Sequence, residues 1–210
     1  KLLERLAHDL NQVGMLKDSF TRMTNKKEKG RLLQQASLNF IMSYYRNGLL
    51  KSRSEELRRY VKFEILRTNA LPNGLCKKYY YGAKDADFYT KVNEIQGHFS
   101  RALSVPELKD YISHYESVLS LAINENISVR ELTHFQSEMG FKAFENALIS
   151  RLSMLPRREK WRLTNAAVYP QSSNSLDVCD SMKLMLKTLG SLDGDPFVWA
   201  TTNMLTESDK

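Results

Sequence analysis

Ser104-Val105-Pro106-Glu107-Leu108 and, twenty-four residues later, Ser128-Val129-Arg130-Glu131-Leu132 are the segments on which the fold assignment turns. Each spells a capping box, in which the serine hydroxyl accepts from the backbone N–H three residues on and the glutamate reaches back to the serine N–H. Two helices are therefore expected to start here, joined by the polar turn Asn124-Glu125-Asn126. The first places Leu108, Tyr111, Ile112, Tyr115, Val118 and Leu119 at steps of three and four, the spacing of one helical stripe. The second runs through Leu132, Phe135 and Met139, crosses Gly140, and continues to Leu155, where Pro156 stops it. Residues 104–155 thus read as a central helical hairpin, with Gly140 as a kink or a point of close packing.

The same grammar extends in both directions. Upstream, Leu3, Leu6, Leu10, Val13, Leu16, Phe20 and Met23 form one amphipathic stripe, and Lys26-Lys27-Glu28-Lys29-Gly30 breaks it. A second helix over about 31–47 stops at Asn47-Gly48. Ser52 with Glu55 suggests another capping box, opening a helix that ends before Pro72. The run Leu75 to Gly82 has no clear assignment, because Tyr79, Tyr80 and Tyr81 favour a strand that would have no partner. Downstream, helices are expected through Phe88, Val92, Ile95 and Phe99, through Trp161, through Met182 and Leu186, and after Asp195-Pro196. No stretch alternates with period two for long enough to make a sheet. The expected class is all-α, an irregular bundle of about nine helices.

Seven excess positive charges are unevenly spread. Residues 1–80 hold 17 Lys and Arg against 7 Asp and Glu, whereas residues 81–210 hold 14 against 17. This asymmetry suggests a basic N-terminal layer over 1–82 and a helical bundle over 83–210, with one continuous domain as the alternative. Arg53, Arg58, Arg59, Lys62 and Arg67 are assigned to the outer face of one helix. With Arg46, Lys51, Lys77 and Lys78 they form the candidate surface for an acidic protein partner. The alternative is nucleic acid, because Tyr44, Tyr45, Tyr60 and the Tyr79–Tyr81 run interleave stacking surfaces with those charges. On either reading, reversing Arg58, Arg59 and Lys62 to glutamate should abolish the partner and leave the fold intact.

Catalytic motifs are sparse. No Walker loop, dinucleotide fingerprint or Gly-x-Ser-x-Gly elbow occurs, and the histidines are scattered. Glu131 and His134 have the Glu-x-x-His spacing of di-iron helices, but such a site needs a second pair and no other histidine has a glutamate three residues before it, so no metal or cofactor is expected. Cys76 and Cys179 are too few for a disulfide framework, which makes a reducing, cytoplasm-like compartment the default. No apolar run is long enough to span a membrane. The opening on Lys1, already inside a helical pattern, fits an excised part of a longer protein. The expected function is a non-catalytic interaction or regulatory module.

One local resemblance adds a third function. Leu6-Ala7-His8-Asp9-Leu10-Asn11-Gln12 is similar to the H-box of sensor histidine kinases. The resemblance implies a phosphotransfer element with His8 as acceptor and Asp9 as the neighbouring acid. It covers these seven residues only, without the ATP-binding boxes of that family.

Overall fold

The computed structural model describes residues 41–82 and 86–207, with the side chains of 86–90 and of residue 207 outside that description. The first predicted helix, most of the second, and the His8 motif lie outside the described residues. Within them the protein is all-α, with nine helices and no strand. They are α1 (41–51), α2 (Ser54–Ala70), α3 (Asn73–Tyr81), α4 (Ala86–Ala102), α5 (Val105–Ala122), α6 (His134–Ser153), α7 (Arg157–Val168), α8 (Ser175–Gly190) and α9 (Gly194–Glu207). None is long and apolar enough to cross a membrane.

The cap at Ser104 forms as expected, with the Glu107 N–H donating to its hydroxyl and the Ser104 N–H donating to the Glu107 carboxylate at 2.8 Å. The one expected at Ser128 does not. Residues 128–133 are non-helical, and α6 starts on a different capping box, Thr133 with Gln136. The physical reason is tertiary. The Arg130 N–H donates to the Leu50 carbonyl at 3.0 Å and its guanidinium to the Ser52 carbonyl at 2.6 Å, so this segment is held against the junction of α1 and α2. Glu131 consequently stays in the loop and shares no helix face with His134.

Ser52 is not a cap either, because its buried hydroxyl donates to the Gly48 carbonyl at 2.7 Å and Arg53 occupies the cap position without a side-chain bond. Asn47-Gly48 does not end α1, which continues to residue 51. At Gly48 a side chain would run into the backbone of Val118, so the glycine marks where α1 crosses α5. Gly140 plays the same part between α6 and α9, where a Cβ would meet Trp199 Cβ at 2.7 Å and the Ala200 backbone nitrogen at 2.8 Å.

The unassigned tyrosine run is helical, forming the end of α3. A hydrophobic core brings Leu49, Leu57 and Val61 together with Val118, Leu189, Phe197, Ala200 and Leu205. A second cluster joins Leu71, Cys76, Ile95 and Cys179, with Leu75, Tyr79 and Tyr80 packed on it. Helix α8 is the common support, since α2, α3, α6, α7 and α9 all pack against it. Cys76 of α3 and Cys179 of α8 are bonded as a disulfide, with Cα atoms 5.9 Å apart and 103 residues between them in sequence. Spacing along the chain could not reveal that pairing, and it gives the expected reducing compartment no support.

Candidate functional site

Most of the expected basic surface is engaged inside the molecule. Arg67 is buried rather than outward-facing, paired with Glu64 one helical turn away. Its guanidinium also donates to the hydroxyls of Tyr79 at 2.9 Å and Tyr111 at 3.2 Å. Burial alone would lower the Arg67 pKa, but the Glu64 carboxylate reverses that effect, and the group is held well above its ordinary value. Tyr80 donates to the other Glu64 oxygen at 3.0 Å. Two tyrosines of the Tyr79–Tyr81 run therefore close a buried charge pair, and burial pushes both their hydroxyls upward in pKa.

Arg59 bridges α2 to α5. It donates to the Asp110 carboxylate at 2.7 Å, to the Asp110 carbonyl at 2.8 Å and to Glu56 at 3.0 Å. Lys62 reaches the other Asp110 oxygen at 3.0 Å, and its hydrogen bond is the first cause of the lowered Asp110 pKa. Arg58 donates to the Leu192 carbonyl and to Asp193 and lies over the Phe197 ring. Lys51 caps the end of α5 by donating to the carbonyls of Ala122 and Asn124. Lys77 does the same for the loop carbonyls of Gln171 and Ser173, and Arg46 donates to the Thr206 carbonyl. Lys78 borders a shallow depression with Gly74, Tyr81 and Gln171, while Arg53 stands exposed at the start of α2.

Beneath this layer lies a chain of polar groups that the sequence did not suggest. His114, fully buried on α5, sits 2.6 Å from Glu56 through Nδ1 and 3.0 Å from the Tyr45 hydroxyl through Nε2. Burial lowers its pKa, against the opposing Glu56 hydrogen bond, so the neutral ring donates to Glu56 and accepts from Tyr45. The chain has the order of a nucleophile triad. Burial, however, pushes the Tyr45 hydroxyl well above its ordinary value and so away from reactivity. Among the described residues no three His, Cys, Asp or Glu side chains converge as a metal site would require.

The exposed chemistry lies elsewhere. Along α6, Phe135, Met139 and Ile149 recur on the stripe opposite Gly140 and Phe144, and Phe141 stands further round; Phe135 is 65% exposed and Ile149 54%. Large apolar side chains thus stand on both sides of this helix although only one side packs on α9, and exposed Lys142 and Asn146 lie between Met139 and Ile149 on the outer stripe. On α7, Trp161 is 68% exposed and follows the exposed cations Arg157, Arg158 and Lys160. None of the three makes an ion pair or a side-chain hydrogen bond among the described residues. Both surfaces escaped sequence reading. The regional charge of 81–210 is negative and hides the local cluster, and Phe135, Met139 and Ile149 look like core until the partner helix is known. Comparison with protein families, with curated proteins and with solved structures finds no match to this chain.

Proposed function

We propose that the protein is a helical interaction module that docks an acidic protein partner. The observation that carries this reading is the second apolar face of α6. A surface helix normally hides its one apolar stripe and turns polar residues outward, yet here Phe135, Met139, Phe141 and Ile149 stay exposed after the inner side has packed on α9. Large apolar side chains left exposed along one helix of a folded chain are what a protein interface uses. The acidic character of the partner follows from the net charge of +7, which favours encounter with negative surfaces.

The nucleic-acid alternative draws less support. Its intended stacking rings, Tyr79 and Tyr80, are turned inward, and Arg58, Arg59, Lys62 and Arg67 already hold carboxylates.

Two measurements on one sample test the proposal. A short fluorescent single-stranded oligonucleotide at low salt should show no binding. Affinity purification from the protein's native cells should recover a protein that Phe135→Asp and Ile149→Asp variants fail to retain. Oligonucleotide binding that weakens steeply with salt and is untouched by the α6 variants would transfer the function to nucleic acid.

A further inference from the structure

Resting on the interaction-module reading, we infer that the outer face of α7 is the docking site for an acidic protein segment carrying an apolar anchor. Arg157, Trp161, Thr164 and Val168 follow one another at steps of four, three and four, which stacks them on one stripe of the helix. All four are exposed, and Arg158 and Lys160 flank them. The opposite side is accounted for, because Leu163 and Ala166 are buried and Arg162 is bonded to Asp177 and Asp180 of α8.

Three features of this face point to such a partner. First, its cations are available. Arg58, Arg59, Lys62 and Arg162 are paired with carboxylates of this chain, whereas Arg157, Arg158 and Lys160 have no partner among the described residues. Second, all three fall in the first turn or so of α7, where the positive end of the helix disfavours cations. The isolated chain gains nothing from them there, and carboxylates from outside would offset that repulsion. Third, Trp161 is the side chain type that most often dominates protein interfaces, and arginine is another. An exposed indole with Arg157 and Arg158 one helical turn before it suits a segment that offers one apolar side chain among Asp and Glu. From Arg157 to Val168 the face is roughly 16 Å long, enough for a short helix or a few extended residues.

Other anions fit less well. A helix lying on a membrane keeps its cations beside the apolar stripe, but here Arg157 stands within the stripe and the charges gather at one end. A single strand of nucleic acid needs cations spaced along its track, and this face confines them to little more than one turn.

The test uses a fluorescein-labelled peptide of Glu, Asp and Leu, with leucine at a three-four spacing. Fluorescence anisotropy should show binding that weakens as salt rises. Arg157→Glu with Arg158→Glu, and separately Trp161→Ala, should each weaken it about tenfold or more. Arg53→Glu, at an exposed cation away from α7, should leave it unchanged. Of the two tryptophans, Trp199 belongs to α9 and sits against Gly140 of α6, away from α7, so a peptide-induced shift in indole emission should vanish in Trp161→Ala alone. Because the substituted side chains project into solvent, far-ultraviolet circular dichroism should be the same for all variants.

Failure to bind the peptide overturns the inference, as does binding indifferent to the α7 variants. Loss in Arg53→Glu alone returns the acidic site to α2. Loss in Phe135→Asp alone preserves the interaction module and removes its site from α7. Equal or tighter binding of an oligonucleotide, or of vesicles containing phosphatidylserine, at the α7 cations assigns the face to those ligands instead.

Discussion

Arg59 shows how a side chain that looks free in sequence becomes a structural part. Its guanidinium spans Glu56 on its own helix and Asp110 on α5, and its side chain is only 23% exposed. Arg59→Glu would set a third carboxylate between those two, and removing one partner of a half-buried pair costs more than the pair itself contributes. The expected loss is about 2–3 kcal/mol, read as a lower urea midpoint. Lys62→Glu, at a side chain 52% exposed, should cost less than about 1 kcal/mol. The triple reversal of Arg58, Arg59 and Lys62, expected from sequence to spare the fold, should therefore lower thermal stability. His114 gives a second prediction at this scale. Its folded pKa is lowered below the usual 6.5, so the unfolded chain binds its proton first as pH falls. The His114 contribution is fully present above about pH 6.5 and is lost as pH drops through the folded value. Melting temperature measured from pH 8 downward should fall below about pH 6.5, and His114→Gln should remove part of that slope. A slope unchanged by the substitution would place the titration elsewhere.

At the level of the helices, boundaries written in local chemistry were legible and boundaries set by distant contacts were not. Ser104 starts a helix through its side-chain cap and Pro156 marks the stop of another through proline geometry, and both act within a few residues. Ser128 carried the same signal and failed, because Leu50 and Ser52 hold Arg130 from nearly eighty positions away. Thr133→Ala should therefore destabilise α6 by about 1 kcal/mol, while Ser128→Ala should leave the melting curve unchanged. The two glycines read as a stop and as a bend or contact, Gly48 and Gly140, both turned out to be helix crossing points. That role depends on which helix lies opposite, which no local window contains. Gly140→Ala should force α6 and α9 apart and cost about 1–3 kcal/mol or more, although alanine is the better helix former. A stabilised variant would mean that the two helices do not cross at this residue. The candidate surfaces were hidden for the same reason. Phe135 and Trp161 have the apolarity of core residues, and only the arrangement of α9 and α8 leaves them outside.

Across the described residues, α2 and α3 are bound to the rest of the molecule by charge, core and covalent bond together. Arg58 meets Asp193 across 135 positions, Leu57 and Val61 share a core with Leu189 and Phe197, and Cys76 is joined to Cys179. Arrangements of this kind are long-range by construction, and a charge balance taken over 1–80 and 81–210 contains none of them. The disulfide is the component whose removal is most selective. Its loop is 103 residues long, and closing such a loop in the unfolded chain corresponds to about 4–5 kcal/mol on the chain-entropy account. The sulfurs lie in a small cluster with Leu71 and Ile95, so Cys76→Ala with Cys179→Ala also loses some packing there. Reduction of the native protein under denaturing conditions followed by refolding with the thiols kept reduced separates the two effects, because both cysteine side chains remain. The reduced protein should refold to the same helicity and unfold at lower urea, by about 2–5 kcal/mol in stability. Buried at both ends, the bond should resist mild reductant in the folded state and yield quickly once urea opens α3 from α8. Equal stability of the oxidised and reduced forms would show that packing of α3 on α8 already supplies the constraint, leaving the tyrosine–arginine–glutamate cluster as the main link between α3 and α2.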